Sequence, residues 1–134
     1  MGLEPAVAVI GLGIDLVDVK EAERLLDRWG DRLLNRVLTD GERAYVLQFH
    51  YPAKHLAVRI AAKEAVYKAF QTVPNAAGIR WRHIEVVRHG DGRPLIRLHG
   101  HAAELAASAG GLRVTVSLTH TERTAGAVAL IDQG

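Results

Sequence analysis

The sequence predicts an α+β fold, an antiparallel sheet packed on a long helix, in the order β-α-α-α-β-β-α-β-β. Three patterns predict it. Apolar residues alternate with glycine or aspartate over "VIGLGIDL" (9–16), a period of two. Small and apolar residues recur at helical spacing from about 53 to 70. "HGDGR" (89–93) joins two short runs through a hairpin-like turn, and two more alternating runs close the chain. The 134 residues suffice for one domain, 1–134, and no repeat, low-complexity segment or linker divides them.

In the first strand Ile10, Leu12, Ile14 and Leu16 share one face, and Gly11, Gly13 and Asp15 share the other. A face bare except for one carboxylate invites something to approach the backbone closely. Val19, Ala22, Leu25, Leu26 and Trp29 follow at helical spacing, and "DRLLNRVL" (31–38) is a short helical stretch. Thr39 and Glu42 stand in capping-box spacing and open a further segment toward Gln48. Tyr51-Pro52 breaks the chain before the long helix, and "QTVPNAAG" (71–78) stops it. "WRHIEVVR" (81–88) and "PLIRLHG" (94–100) read as strands, and the Ala-rich stretch 101–109 reads as a helix ended by Gly110-Gly111. "LRVTVSLTH" (112–120) and "TAGAVALI" (124–131) are the closing strands.

Composition narrows the function. Hydrophobic residues make up 49% and charged residues 24%, which is globular rather than disordered. With no cysteine there is no disulfide, thiolate metal site or cysteine nucleophile, and a reducing compartment is compatible. The apolar run 6–14 has no basic region before it, only Glu4 being charged there, and it ends at Asp15. No stretch reaches membrane-spanning length, so a soluble cytoplasmic protein without a membrane partner is expected. A net charge of +2, 5% aromatic residues and no basic cluster argue against a nucleic-acid partner.

The long helix contains "RIAAKEAVYKAF" (59–70), where Arg59, Lys63, Glu64 and Lys68 are set among alanines. On a helical wheel Val58, Ala62, Ala65 and Ala69 form one stripe, and Leu56, Ile60 and Tyr67 form another. Solvated i,i+4 pairs are one reading of the charges. Two apolar stripes leave little circumference for water, however, and buried charges need partners. Asp15 alone reads as a turn or cap residue. Paired with Glu64 it resembles a hard-cation site, since magnesium is typically held by one or two carboxylates plus phosphates. Nearby lysines and an arginine would complete a phosphate clamp. "GLGIDL" is no dinucleotide fingerprint, because it lacks the third glycine and its glycines lie inside the strand. "HGH" (99–101) has no further metal-ligand spacing nearby and reads as surface histidines. His120 reads equally as a structural histidine or a substrate contact.

Taken together, "GLGIDLVDV" (11–19), "RVLTDGE" (36–42), "RIAAKEAVYKAF" (59–70), "DGRP" (91–94) and "VSLTHT" (116–121) resemble holo-acyl-carrier-protein synthase. This is the small bacterial type of 4′-phosphopantetheinyl transferase, and the motifs stand in the family's order over about residues 10–131. The resemblance implies transfer of phosphopantetheine from coenzyme A to a serine of an acyl carrier protein. It implies a homotrimer with active sites between subunits. By matching position, Asp15 and Glu64 would be magnesium ligands, and Arg59, Lys63 and Lys68 coenzyme A phosphate contacts. Gly92, Pro94, His120 and Thr121 would line the nucleotide site. The serine would attack the phosphorus bearing pantetheine, with Lys68 stabilising the leaving bisphosphate. The sequence leaves Glu64 and a water on the metal both open as the base. A non-catalytic coenzyme A or phosphate-binding module is the competing reading. One departure concerns the carrier: the family's basic helix keeps Lys20, Arg24 and Arg28 here but has Glu21 where arginine is common.

Overall fold

A computed structural model describes residues 8–134, so Glu4 and the first two residues of the 6–14 run lie outside it. Ten elements alternate as β1 (Val9–Asp18), α1 (Val19–Trp29), α2 (Asp31–Val37), α3 (Asp40–Leu47), α4 (Pro52–Ala69), β2 (Ile84–Arg88), β3 (Pro94–Leu98), α5 (Gly100–Ser108), β4 (Leu112–His120) and β5 (Thr124–Gln133). The antiparallel α+β class is as expected. The helical region before β2 holds four helices, one more than the expected order allows. The four match the four helical stretches read along the chain, and Gly30, at φ 51°, ψ −128°, separates the first two. That positive φ suits a residue without Cβ.

β1, β5 and β4 form an antiparallel sheet in that order, and β2–β3 form a separate hairpin. Register places Gly13 opposite Ala129, Asp15 opposite Ala127, and Leu118 opposite Ala127 from the other side. The inner face therefore carries Gly11, Gly13, Asp15, Ala127, Ala129, Val116 and Leu118, and α4 lies across it. Contact is at backbone distance. A Cβ on Gly11 would come within 1.8 Å of the Ala69 carbonyl oxygen, and one on Gly13 within 1.9 Å of that of Ala65. The bare glycine face thus admits a helix rather than a ligand.

The opposite face carries the apolar side chains, and in this chain they meet solvent. Leu12, Ile14 and Leu16 are 65%, 63% and 70% exposed, and Val128 beside them is also exposed. β4 contributes Thr115, Ser117 and Thr119 to this face, while its Val114, Val116 and Leu118 pack inward. α3 begins with the expected capping box: Thr39 Oγ1 accepts from the Glu42 amide at 3.2 Å, and Glu42 Oε1 accepts from the Thr39 amide at 2.9 Å. α4 begins with Pro52 at its first turn, where a missing N–H costs nothing. No described helix is long and apolar enough to cross a membrane.

Candidate active site

The charges of α4 divide onto two sides of the helix. Arg59 and Glu64 are five residues apart, which separates their directions by about 140°. On the sheet side, Glu64 lies beside Asp15 and Lys68. Lys68 Nζ donates to Asp15 Oδ1 and to the Ile14 carbonyl, both at 3.0 Å. Burial first, and the Asp15 charge second, raise the proton affinity of Glu64, with Lys68 opposing. Among the described residues Glu64 has no hydrogen bond or ion pair of its own. The carboxylates of Asp15 and Glu64 thus converge with no cation between them except the ammonium on Asp15.

These two residues fit a hard cation. They offer oxygen donors only, one held by a displaceable ammonium and one unpartnered. Among the described residues no group of three or more His, Asp or Glu could enclose a metal. Magnesium needs no such cage, because water and phosphate oxygens fill its octahedron. The histidines of "HGH" are engaged within the protein: His99 bonds Glu85 at 2.8 Å and His101 bonds the Asn75 carbonyl at 2.8 Å.

On the other side of α4, Arg59 is 2% exposed and stacks over Tyr45 at 4.4 Å. Arg88 approaches the same ring at 5.4 Å. Burial lowers the Arg59 proton affinity, and its Nε has no hydrogen-bond partner, so a buried donor is left for an anion. His55 stacks on Phe49 at 3.7 Å. Burial and the charges of Arg59 and His120 hold His55 below its ordinary range. Arg88 also donates to the Gly92 carbonyl at 3.0 Å, tying the β2–β3 turn to this pocket. Gly92 there has φ 89°, and Pro94 begins β3. His120 lies at the end of β4, and Thr121 Oγ1 accepts from the Thr124 amide at 3.0 Å to close the β4–β5 turn. Sequence reasoning named Arg59, Gly92, Pro94, His120 and Thr121 but not Tyr45, His55 or Arg88. Tyr45 and His55 carry no local pattern that separates them from ordinary helix residues.

Lys63 departs from the expectation of a coenzyme A contact. Its side chain is 0% exposed, and its three protons go to Glu42 Oε1 at 2.7 Å, the Trp81 carbonyl at 3.0 Å and the Ile84 carbonyl. No donor remains for a phosphate.

A cleft of about 1120 Å³ opens at Glu64. Leu25, Trp29, Tyr67 and Ile79 give it apolar walls, and Arg32, Arg36, Arg80 and Arg82 make it cationic. Arg82 pairs with Asp40 at 3.0 Å, whereas Arg32, Arg36 and Arg80 have no carboxylate partner among the described residues. Glu21 is bonded to Arg24 at 2.7 and 3.1 Å, so it neutralises the middle of the expected basic stripe.

An antiparallel α+β fold with paired carboxylates, an ammonium and a separate guanidinium–aromatic pocket is that of a phosphate-handling transferase. The chain belongs to the 4′-phosphopantetheinyl transferase superfamily, which it matches over residues 11–127. It is similar to the holo-[acyl-carrier-protein] synthase of Serratia proteamaculans, 43% identical over 94% of this chain and 99% of that one. Its fold resembles the Mycobacterium tuberculosis acyl carrier protein synthase with a TM-score of 0.76, 38% identical over 95% of this chain and 100% of the other. The Chronobacterium ammoniagenes ACPS–CoA complex matches with a TM-score of 0.80 at 30% identity, covering 95% and 98%.

Proposed function

We propose that this chain, a single transferase domain, moves 4′-phosphopantetheine from coenzyme A to a serine of an apo-acyl carrier protein, releasing adenosine 3′,5′-bisphosphate. The observation that carries this is Glu64, set beside Asp15 and Lys68 and opening onto a cationic cleft, in a chain of this family. Magnesium would be held by Asp15 and Glu64, and when bound it offsets charge on the pyrophosphate. Lys68, released from Asp15, turns its ammonium to the leaving bisphosphate. The serine oxygen forms a bond to the phosphorus bearing pantetheine as the bond to the bridging oxygen of the bisphosphate breaks. The carboxylate oxygen of Glu64 left outside the metal would accept the serine proton.

The nucleotide end belongs to the Arg59 pocket. Arg59 and Arg88 supply positive charge for a phosphate, His120 offers a ring nitrogen, and Tyr45 and the turn carrying Gly92 and Pro94 supply walls. Thr121 holds the hairpin end beside His120. Lys63 is outside this contact set because its donors are used internally.

In one chain this pocket and the carboxylates face away from each other around α4. That supports a homotrimer in which the pocket of one subunit meets the carboxylates of the next, and the exposed Leu12, Ile14, Leu16 and Val128 supply an apolar surface for it. The acidic carrier protein would enter at the cleft, where Arg32, Arg36 and Arg80 are unpaired. A cytoplasmic location belongs to the same reading.

The test is mass spectrometry of apo-carrier proteins after incubation with coenzyme A and magnesium. A phosphopantetheine adduct on the serine, absent with Asp15→Ala or Glu64→Ala, is expected. Coenzyme A binding without any adduct on any carrier would leave a binding module instead.

A further inference from the structure

The buried Lys63 belongs to one polar knot. Glu42 accepts from Lys63 and from the Thr39 amide through Oε1, and from the Val86 amide at 2.9 Å through Oε2. Lys63 in turn donates to the carbonyls of Trp81 and Ile84. Every donor of the ammonium and both carboxylate oxygens are engaged, in a space where the two side chains are 0% exposed. The knot fastens the start of α3, the middle of α4 and the segment 81–86 to one another. A buried ion pair of this kind adds little net stability over apolar side chains of the same size, so it invites a reason beyond stability.

The reason lies one residue on. Glu64 makes no side-chain hydrogen bond among the described residues, so only its own torsions and the placing of α4 direct its carboxylate. The glycines of β1 let α4 approach the sheet, and on that side alanine against glycine offers no long side chain to key the helix in rotation. A carboxylate stands about 5–6 Å from the helix axis, so a rotation of about 20° moves it by about 2 Å. Metal coordination tolerates about 0.2 Å.

We propose that Lys63 is a positioning residue, which through Glu42 and the 81–84 carbonyls holds α4 in the rotation that brings Glu64 beside Asp15 as a metal ligand. It touches neither coenzyme A nor the carrier. This rests on the reading of Asp15 and Glu64 as metal ligands.

Three variants test it: Lys63→Met, Glu42→Asp, and the buried control Val46→Ala, an apolar residue of α3 that takes no part in the knot's hydrogen bonds. Glu42→Asp keeps the charge while drawing it back from Lys63, and so guards against failure of Lys63→Met to fold. Manganese binding is titrated by electron paramagnetic resonance without substrates, beside thermal melting and steady-state kinetics. Loosening the knot should weaken manganese binding about tenfold and lower kcat about 100-fold, with the KM for coenzyme A within threefold of the parent. Val46→Ala should lower the melting temperature while keeping manganese affinity.

A raised KM for coenzyme A with unchanged manganese affinity would make Lys63 a co-substrate contact and overturn the proposal. Manganese affinity that merely tracks melting temperature across all three variants would reduce the knot to general stability, and overturns it too. A parent protein that binds no manganese removes the metal reading itself. That outcome is distinct from metal binding that is indifferent to Lys63, which overturns this proposal alone.

Discussion

Lys63 and Lys68 lie five residues apart on one helix, yet one is sealed in the protein and the other is half open. Lys68 bridges Asp15 and the Ile14 carbonyl, so Lys68→Ala removes a fixed positive charge from the carboxylate pair. The expected outcome is a kcat lowered about 100-fold, weaker coenzyme A binding, and a melting temperature near the parent's; steady-state kinetics beside a melting curve checks it. Unchanged kinetics would leave Lys68 as a plain ion-pair partner of Asp15. His55 gives a pH signature. Its folded proton affinity lies below its ordinary value of 6.5, chiefly through burial and the Arg59 charge. Above pH 6.5 the ring is neutral in both states and contributes no pH dependence. As pH falls below that value the unfolded chain takes up the proton first, and stability is lost until the folded value is passed. His55→Gln should therefore flatten the fall in melting temperature as the pH drops below 6.5. A parallel fall in parent and variant would show that His55 is not the sensor.

At the scale of elements, the decisive contact is β1 against α4. Gly13→Ala puts a methyl 1.9 Å from the Ala65 carbonyl oxygen, where backbone and not a flexible side chain must give way. The expected loss is roughly 2–4 kcal/mol, with transfer falling further than stability because Asp15 and Glu64 part company. Chemical denaturation read beside activity checks this, and a variant as stable and active as the parent would refute the close packing. The sequence made β1 legible through its alternation, and the start of α3 through Thr39 and Glu42, because those signals are local. It made the carboxylate pair legible only as Asp15 and Glu64 on two elements, paired by their chemistry and by their matching positions in the family's motifs. What it left hidden depends on distance along the chain. Nothing near Gly11 and Gly13 says that their partner is a helix 52 to 58 residues on. Nothing near Lys63 says that Glu42, Trp81 and Ile84, 18 to 21 residues away on either side, consume its donors. Buried and exposed lysines share one helical spacing, and only their distant partners tell them apart.

At the scale of the molecule, the apolar side of the sheet and the two faces of α4 make one argument for shared sites. The apolar residues of β4 point inward, so the interface of the proposed trimer would lie on β1 and at Val128. Ile14→Glu puts a charge in the middle of that surface, opposite Val128 in the sheet register. Light scattering should then find monomers at assay concentration, with transfer lost although Asp15, Glu64 and Lys68 are untouched. Monomers that keep full activity would refute a shared site. Mixing gives a sharper outcome. Glu64→Ala lacks a carboxylate but keeps the Arg59 pocket, and Arg59→Ala lacks the pocket's buried guanidinium but keeps both carboxylates. If each site takes carboxylates from one subunit and the pocket from its neighbour, random trimers of the two variants rebuild intact sites. A given site needs an Arg59→Ala subunit on one side and a Glu64→Ala subunit on the other, so about a quarter of the sites are whole. Refolding the two inactive variants together at equal amounts should therefore restore about a quarter of the parent activity. If both halves of the site come from the same chain, no mixture contains an intact one, and activity stays at the level of the separate variants.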